Sequence, residues 1–381
     1  MEDGKSPAPP DIRPVVGRRG RSQFTDVPFR LFAGDPNFVP PLRMSVLDRI
    51  SPKHPANEHQ VSALWMAFRE GKPVGRIGAC VDRFFNEYQG VAWGWVGFFE
   101  MADDPEAAKT LFEVAWSWLK LHGADTAVGP ASFTTNDDTG LLVEGFDEPP
   151  YFLETANPRY YEKLWVDNGW QPAMDLWGWR YRRGTLGLNE RQRRILGRLK
   201  ERSHLTIRAA NIKDFDAEVA RLFEVYNAAW SKNWGFAPMP EAEIHHLAKQ
   251  MKQLIDPELT LIVEKPDGEP VAVSIVLPDV NEVMSKLPSG RLLPFGWYHL
   301  LRGVPKVTRV RLFALGIKPD LQALGIGPLL YQEMMDRLLG RTQLVEAQAS
   351  WILATNDRMN NAIEATGAVR SKVWRVYQRP L

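Results

Sequence analysis

Residues 312–335, LFALGIKPDLQALGIGPLLYQEMM, decide the fold of this 381-residue chain. The apolar run that ends at Ile317 predicts a buried strand, and the residues from Gln322 to Leu339 predict a helix. At the junction, the glycines of Gln322–Gly327 allow backbone amides to approach a ligand closely. Because the first amides of a helix are unpaired and favour an anion, we expect a diphosphate group to bind here. The stretch lacks the third glycine of a dinucleotide fingerprint and the Gly-Lys-Ser/Thr of a P-loop.

The two halves of the chain have the same order of predicted elements. Residues 23–183 are predicted to alternate as β-β-β-α-β-α-β, and residues 205–381 repeat that order. Each half contains a helix that follows an asparagine, Asn157 or Asn356, and then a strand with a Trp-Arg pair. We interpret the halves as two domains that arose by duplication. A flexible arm over 1–22 is predicted to precede them, and a basic linker helix over 184–204 to join them.

Composition excludes several classes of function. The chain has 47 basic and 46 acidic residues, so a general affinity for nucleic acid is not expected. Its single cysteine, Cys80, permits no disulfide within the chain and indicates a cytoplasmic location. No apolar run approaches the ~20 residues that span a bilayer. The seven histidines have no metal-ligand spacing, so we predict no metal site. An oligomeric state is not indicated.

Gln322, Gly325 and Gly327 match the Q/R-x-x-G-x-G/A signature of the GNAT superfamily of acyl-CoA-dependent N-acyltransferases, which residues 205–381 resemble as a whole. The segment WILATN, residues 351–356, resembles the next motif of that family. The resemblance implies an α/β fold with two tandem GNAT-like domains, each a mixed, mostly antiparallel sheet flanked by helices. It also implies acetyl-CoA or a longer acyl-CoA as co-substrate. The residues implied to bind it are Leu315, Gly316, Ile317, Gln322, Ala323, Leu324, Gly325, Ile326, Gly327, Pro328 and Asn356.

The first half resembles the same domain without its cofactor site. Where the phosphate loop is expected, the chain has Asp103, Asp104 and Glu106 at a helix start, and these carboxylates would repel a diphosphate. We therefore expect only the second half to bind CoA. Residues 129–150 and 157–161 further resemble a bacterial subgroup of tandem GNAT-like proteins. Some members of that subgroup are implicated in N-acylating long-chain amines of the sphingoid type.

The sequence does not fix a general base. Glu346 shares one strand face with Gln348 and Ser350 and is our first candidate, acting directly or through water. The alternative is a solvated carboxylate at the end of a strand. Asp138, in a polar loop of the first half, is a second candidate that could face the substrate. Its alternative is a residue of an Asx-turn.

The general acid is equally open. Many GNAT relatives have a tyrosine seven residues after the motif asparagine, where this chain has Ile363. Tyr377 and Tyr331 are the remaining candidates, and for both the alternative is a packed aromatic ring.

Two stretches bear on partners. Residues 289–305 are apolar and aromatic with arginines near both ends, which fits a lipophilic acceptor or attachment to the inner membrane surface. Packing between domains fits them equally well. Residues 180–204 have nine Arg or Lys and two Glu, typical of a solvated linker helix. The alternative is a basic face for phosphates, anionic lipid or an acidic acyl carrier protein.

The function that these patterns favour is an N-acyltransferase that moves an acyl group from acyl-CoA to a primary amine, here a hydrophobic or lipid-like small molecule. A non-catalytic acyl-CoA-binding protein is the first alternative, which the missing tyrosine at Ile363 favours. A Fem-like aminoacyl transferase, which uses tRNA, is the second. The intact Gln322–Gly327 loop and the near-neutral charge argue against this second alternative.

Overall fold

A computed structural model describes residues 9–185 and 190–381. It divides into two compact units. Unit 1 contains Met1–Asp175, Met284–Trp297 and Val373–Leu381, and unit 2 contains Leu176–Val283 and Tyr298–Lys372. Each unit is a mixed, mostly antiparallel sheet flanked by helices, which confirms the predicted fold class. Within the described residues, no helix combines the length and hydrophobicity that a bilayer crossing requires.

Unit 1 has the sheet order β1-β2-β3-β4-β5-β13, with β6 on β13. Helix α4 covers this sheet through Ala108, Leu111, Ala115 and Leu119, one apolar face at helical spacing. The elements that begin in this unit are β1 (Asp11–Pro14), α1 (Gly17–Leu31), α2 (Arg43–Arg49), β2 (Gln60–Arg69), β3 (Lys72–Asp82), α3 (Arg83–Gln89), β4 (Trp93–Met101), α4 (Pro105–Leu121), β5 (Thr126–Gly129), β6 (Leu141–Glu144), α5 (Tyr160–Asp167) and β7 (Gln171–Arg182).

Unit 2 has the sheet order β7-β12-β11-β10-β9-β8. Helix α11 covers it through Leu330, Met334 and Leu338, which pack against strand residues such as Val310 and Ala347. The remaining elements of the chain are α6 (Glu190–Ser203), β8 (Thr206–Ala209), α7 (Phe215–Trp230), α8 (Glu241–Met251), β9 (Thr260–Glu264), β10 (Pro270–Pro278), α9 (Asn281–Met284), α10 (Gly296–Gly303), β11 (Arg309–Ile317), α11 (Ile326–Gly340), β12 (Glu346–Leu353), α12 (Asp357–Glu364) and β13 (Val369–Pro380).

The units coincide only in part with the domains predicted over 23–183 and 205–381. Strand β7 pairs with β12 from Leu176 to Arg182, so its second part completes the sheet of unit 2. Strand β13 pairs with β5 and β6 from Val373 onward, so its second part completes the sheet of unit 1. Each half of the sequence therefore contributes its last strand to the unit of the other half.

The N-terminal prediction differs from the structure over the described part of the arm. Residues 9–22 do not form a flexible arm: Asp11–Pro14 is strand β1, which pairs with β2 from Asp11↔Phe68 to Pro14↔Trp65. Helix α1 follows and buries Phe24 and Val27. Local composition predicted flexibility, whereas a partner strand more than 50 residues away supplies the hydrogen bonds. Residues 1–8 lie outside the described residues.

A helix lies within residues 184–204, where the sequence predicted a basic linker helix. Helix α6 occupies Glu190–Ser203, while residues 186–189 lie outside the described part of the chain. Arg193 Nη1 contacts Asp336 Oδ1 at 2.9 Å and Lys200 Nζ contacts Glu333 Oε2 at 3.5 Å, both on α11. Part of the basic face is therefore used within unit 2, next to the helix that follows the glycine loop.

Candidate functional site

Strands β11 and β12 separate partway along their length. They pair in parallel from Arg309↔Glu346 to Leu312↔Ala349. Beyond that point β11 continues to Ile317, while β12 continues to Leu353 and stays paired with β7, its other partner from Glu346 onward. The two strands form a fork that opens at their carboxyl ends. We call this opening the unit 2 fork.

Backbone amides of β11 point into the unit 2 fork. Lys318 N donates to Val271 O of β10 at 3.0 Å. Because successive residues of a strand direct their amides to alternate sides, the amides of Leu315 and Ile317 point away from β10. The edge of β11 thus presents donors where the partner strand has diverged, at two of the residues implied to bind the acyl-CoA.

The glycine loop closes the end of β11. Residues Pro319–Leu324 form a 3₁₀ turn, and Gly325 follows in the left-handed region with φ of 75°. Gln322 Nε2 donates to Ile317 O at 3.2 Å, and Arg358 Nη2 donates to Gln322 O at 2.6 Å. The predicted helix therefore starts at Ile326 rather than Gln322, because the residues before Gly325 form the tighter turn. The side chains of Ala323 and Leu324 lie outside the described part of the structure.

The start of α11 fits a diphosphate group. Gly325 directly precedes the helix and offers no side chain to cap it, so the first amides stay available to an anion. A Cβ at Gly325 would lie 2.7 Å from Leu199 Cδ2, and one at Gly327 would lie 3.1 Å from Ile317 Cδ1. A side chain at either position would occupy the space at the start of α11 where we expect the diphosphate to bind. Ile326 is buried in the core and Pro328 lies within the first turn of α11.

Asparagines fix the helix beside β12. Asn356 caps α12, with its Oδ1 accepting from Met359 N at 3.2 Å. Asn360, which sequence analysis did not single out, is buried and accepts from Trp179 Nε1 at 2.9 Å. Its Nδ2 donates to Leu353 O at 3.0 Å, which ties α12 to the end of β12. The contact of Asn356 with the pantetheine arm stays a prediction.

A buried cation occupies the closed end of the unit 2 fork. The Arg311 side chain is 1% exposed, and its Nε donates to Ser350 Oγ at 3.0 Å. Its Nη2 donates to Ser350 O at 3.0 Å, and its guanidinium lies 4.8 Å from the Trp351 ring centroid. Sequence analysis missed this residue. The available signal was an arginine between Val310 and Leu312 in a strand that is otherwise apolar after Arg309.

An aromatic cluster lies beside the open end of the same strand. A Cβ built on Gly316 would collide with the ring of Trp230 on α7. The Trp230 ring stacks on Tyr226 with centroids 4.9 Å apart, and Tyr226 contacts Phe236 at 5.7 Å. Burial raises the pKa of Tyr226 to about 12. We call Tyr226, Trp230 and Phe236 the aromatic wall, and sequence analysis did not find it.

Comparisons with known proteins find two relatives that match nearly the whole chain. No family model matches the chain. It is 32% identical over 375 residues to protein YghO of Escherichia coli K12, covering 97% of this chain and 95% of that protein. It is 36% identical over 377 residues to a bacterial ceramide synthase of Caulobacter vibrioides, covering 97% of each chain.

Solved structures show the same fold at low identity. A tandem GNAT protein from the clavulanic acid biosynthesis pathway superposes with a TM-score of 0.58 at 10% identity, over 97% of this chain and 98% of that one. A GCN5-related N-acetyltransferase from Sphaerobacter thermophilus gives 0.52 at 12% identity, over 97% and 95%. This chain has the tandem GNAT fold. It belongs to the same family as the two relatives named above.

Glu346 lies at the closed end of the unit 2 fork. Its Oε2 is 3.6 Å from Arg182 Nε and 4.0 Å from Arg180 Nε, and its strand partner on β11 is Arg309. At about 3.3 Å per residue, Leu315 is about 20 Å further along the strand. The role of Glu346 as a base, acting directly or through water, stays a prediction.

Tyr377 and Asp138 belong to unit 1, whereas the glycine loop belongs to unit 2. Tyr377 is buried, and its hydroxyl donates to Glu162 Oε1 at 2.9 Å. Burial, with the nearby Glu162 carboxylate, raises the pKa of Tyr377. Asp138 is exposed, and its backbone O accepts from Ser132 N at 3.0 Å. The structure thus gives Tyr377 a core position and Asp138 a loop position, and their catalytic roles stay predictions.

Tyr331 and Ile363 both pack in the core of unit 2. The Tyr331 ring centroid is 6.3 Å from that of Tyr181, and burial raises the pKa of its hydroxyl. Ile363 is buried on α12. The position where many relatives have a tyrosine is therefore a packed apolar residue in this chain.

The corresponding fork of unit 1 is filled by the chain itself. The parallel pairing of β4 and β5 ends at Trp95↔Val128. Beyond it Ala131 N donates to Val96 O at 2.9 Å, and Phe98 N donates to Ser132 Oγ at 3.1 Å. A Cβ on Gly97 would collide with the carbonyl oxygen of Ala131. The loop after β5 thus forms hydrogen bonds with the edge of β4. In unit 2 the corresponding edge of β11 faces the open fork.

Proposed function

We propose that this tandem GNAT protein transfers the acyl group of an acyl-CoA to the primary amine of a long-chain base of the sphingoid type. The observation that carries the proposal is the open unit 2 fork, with the glycine loop at its end and the aromatic wall beside it. The 36% identity to a protein named bacterial ceramide synthase supports the acceptor class, because a ceramide is the fatty amide of such a base.

Three backbone features would hold the acyl-CoA. The start of α11 at Gly325 and Gly327 suits the diphosphate, since unpaired helix amides attract an anion. The amides of Leu315 and Ile317 suit the pantetheine arm and the thioester carbonyl. Leu199 packs over Gly325, so α6 would border the diphosphate.

The reaction needs little from side chains once the partners are aligned. The neutral amine nitrogen attacks the thioester carbon, a C–N bond forms, and the C–S bond breaks. The CoA thiolate leaves and takes up the proton that the amine loses. Amides of β11 aimed at the carbonyl oxygen would stabilise the oxyanion. Arg311 holds Ser350 and so fixes β12 where the fork begins.

The aromatic wall would select a long alkyl chain. Each buried methylene contributes about 0.8 kcal/mol to the binding free energy. Affinity for the acceptor should therefore rise with chain length until the alkyl chain extends beyond the aromatic wall. Trp230 is the central member, because its ring lies against Gly316 and stacks on Tyr226. An amine seated against this ring lies next to the amides of β11.

The test follows release of free thiol from a fixed acyl-CoA with primary amines of increasing chain length. We expect kcat/KM to rise steeply with length, and Trp230→Ala to lower it at least about tenfold, or 1.4 kcal/mol, for long-chain bases only. Trp118→Ala, at a partly exposed tryptophan of unit 1, is the matched control and leaves the series unchanged. A flat series, or a preference for small polar amines, contradicts the proposed acceptor.

The buried Ile363 favours one alternative, an acyl-CoA-binding protein without catalysis. That protein would bind acyl-CoA but release no thiol with any amine of the series. The same assay therefore separates the two functions.

A further inference from the structure

Five large apolar side chains project from the segment around α10. They are between 43% and 76% exposed and follow each other closely in the sequence. We call them the apolar ridge, which consists of Leu293, Phe295, Trp297, Tyr298 and Leu301. A concentration of apolar surface of this kind marks an interaction site in a folded protein.

The chain on either side of the apolar ridge is fixed. At the start, Arg43 N donates to Gly290 O at 3.0 Å and Arg43 Nε donates to Ser289 O at 2.6 Å. At the end, Gly303 packs so closely that a Cβ there would lie 2.8 Å from Val283 Cγ1. The ridge is therefore held in place by flanking contacts while its own side chains remain exposed.

The charged residues that neighbour the apolar ridge in the sequence are all positive. From residue 283 to residue 319 the sequence contains no Asp or Glu, whereas Lys286, Arg291, Arg302 and Lys306 flank the ridge. The Arg302 guanidinium lies 5.1 Å from the ring centroid of Tyr298. Apolar side chains bordered by Lys and Arg are typical of segments that lie in the interface of an anionic bilayer.

The indole of Trp297 already has a hydrogen-bond partner within the segment. Trp297 Nε1 donates to Pro294 O at 3.1 Å, so its indole can leave water without losing its hydrogen bond. A symmetric contact with a second copy would instead bring four further positive charges against these four, which is unfavourable. The charge pattern therefore favours a lipid surface over self-association.

We infer that the apolar ridge docks this protein onto the surface of a bilayer that contains anionic lipid. The ridge inserts among the headgroups, and the four basic residues contact their phosphates. This inference goes beyond the proposed function and does not depend on it, because docking is measured without any substrate.

The experiment is sedimentation of the full chain with sucrose-loaded vesicles of phosphatidylcholine and phosphatidylglycerol, compared with phosphatidylcholine alone. We expect binding to the anionic vesicles that weakens as salt is raised. Combining F295S, W297S and L301S should reduce the partition coefficient at least tenfold. Arg291→Gln with Arg302→Gln should reduce binding to anionic vesicles only.

The matched control combines L121S, V166S and V369S, which remove equally exposed apolar side chains elsewhere. It should sediment like the wild type. Circular dichroism and acetyl-CoA affinity check that all variants fold. The inference is overturned if the wild type does not sediment, or if the ridge and control variants sediment equally. It is also overturned if the ridge variant only abolishes a dimer seen by light scattering without lipid.

Discussion

The fork between β4 and β5 in unit 1 and the fork between β11 and β12 in unit 2 begin alike and end differently. In unit 1 the chain after β5 returns across the gap, and Ala131 and Ser132 pair with β4. In unit 2 strand β12 stays paired with β7 and separates from β11 after Ala349, so the edge of β11 has no such cover from β12. We infer from this difference that one architecture gains or loses a ligand site according to what fills the gap between the two strands.

The N-termini of the helices that follow the two forks also differ. Helix α4 of unit 1 starts with Asp104, which accepts from Ala107 N at 3.0 Å and pairs with Arg69 Nε at 2.8 Å. The N-terminus of α4 is thus capped by the Asp104 carboxylate. Helix α11 of unit 2 starts after Gly325, which has no side chain. We therefore expect an anion from outside the chain to bind at unit 2 and not at unit 1.

We expect the largest effect on acetyl-CoA affinity when the start of α11 in unit 2 receives a carboxylate, as the start of α4 in unit 1 has. Gly325→Asp adds a carboxylate at the start of α11 and a side chain where φ is 75°. We expect acetyl-CoA affinity to fall at least about 100-fold, or 2.7 kcal/mol, in equilibrium dialysis. Gly90→Asp is the matched control, because Gly90 has φ of 66° and open space around it. Unchanged affinity in the Gly325→Asp variant would refute the diphosphate site.

We expect an intermediate effect on kcat/KM when the serine of the unit 2 fork is replaced, and no such effect for the serine of the unit 1 fork. Ser350→Ala removes an acceptor of Arg311, and we expect kcat/KM to fall about tenfold as β12 loses its position, a 1.4 kcal/mol effect. Ser132→Ala leaves Phe98 N without its acceptor and should cost about 1–3 kcal/mol of unfolding free energy while kcat/KM stays constant. Equal kinetic effects of the two substitutions would show that the forks do not differ in function.

The smallest effect concerns the acidic helix start of unit 1. The hydrogen bond from Arg69 holds the pKa of Asp104 below its ordinary value. A lowered folded-state pKa stabilises the protein above the unfolded value of about 3.9, and this stability is lost as pH falls through the folded value. Asp104→Ala should therefore cost about 1 kcal/mol at neutral pH in urea unfolding, as loss of a helix cap does.

The difference between wild type and Asp104→Ala should shrink below about pH 4. Asp167→Ala, at an exposed i,i+4 pair with Lys163, is the control and should cost less than about 0.5 kcal/mol. Asp104→Ala should not create a second acetyl-CoA site, because the fork of unit 1 stays filled. A pH-independent difference would contradict the role of the Arg69 pair.

The fold and the glycine loop could be predicted because their signals are local. The apolar run to Ile317 and the glycines at Gly325 and Gly327 specify a strand, a left-handed residue and an open helix start within a few residues. The acidic residues at the start of α4 are equally local. These signals predicted the tandem GNAT fold, which the solved structures bear out.

The remaining site residues depend on contacts between distant parts of the chain. The Trp230 ring meets Gly316 from another helix, and Arg311 contacts Ser350 across two strands. The position of Glu346 became clear only with the register Arg309↔Glu346, which places it at the closed end of the fork. Strand β1 was missed because its partner lies in β2. No local spacing contains such information.

The most direct test of the central claim is the number of CoA molecules that one chain binds. Isothermal titration of the full chain with acetyl-CoA measures this number without a requirement for turnover. The open fork and uncapped helix of unit 2, set against the filled fork and capped helix of unit 1, predict one molecule per chain. A stoichiometry of two, or one site that persists unchanged in the Gly325→Asp variant, would contradict the account.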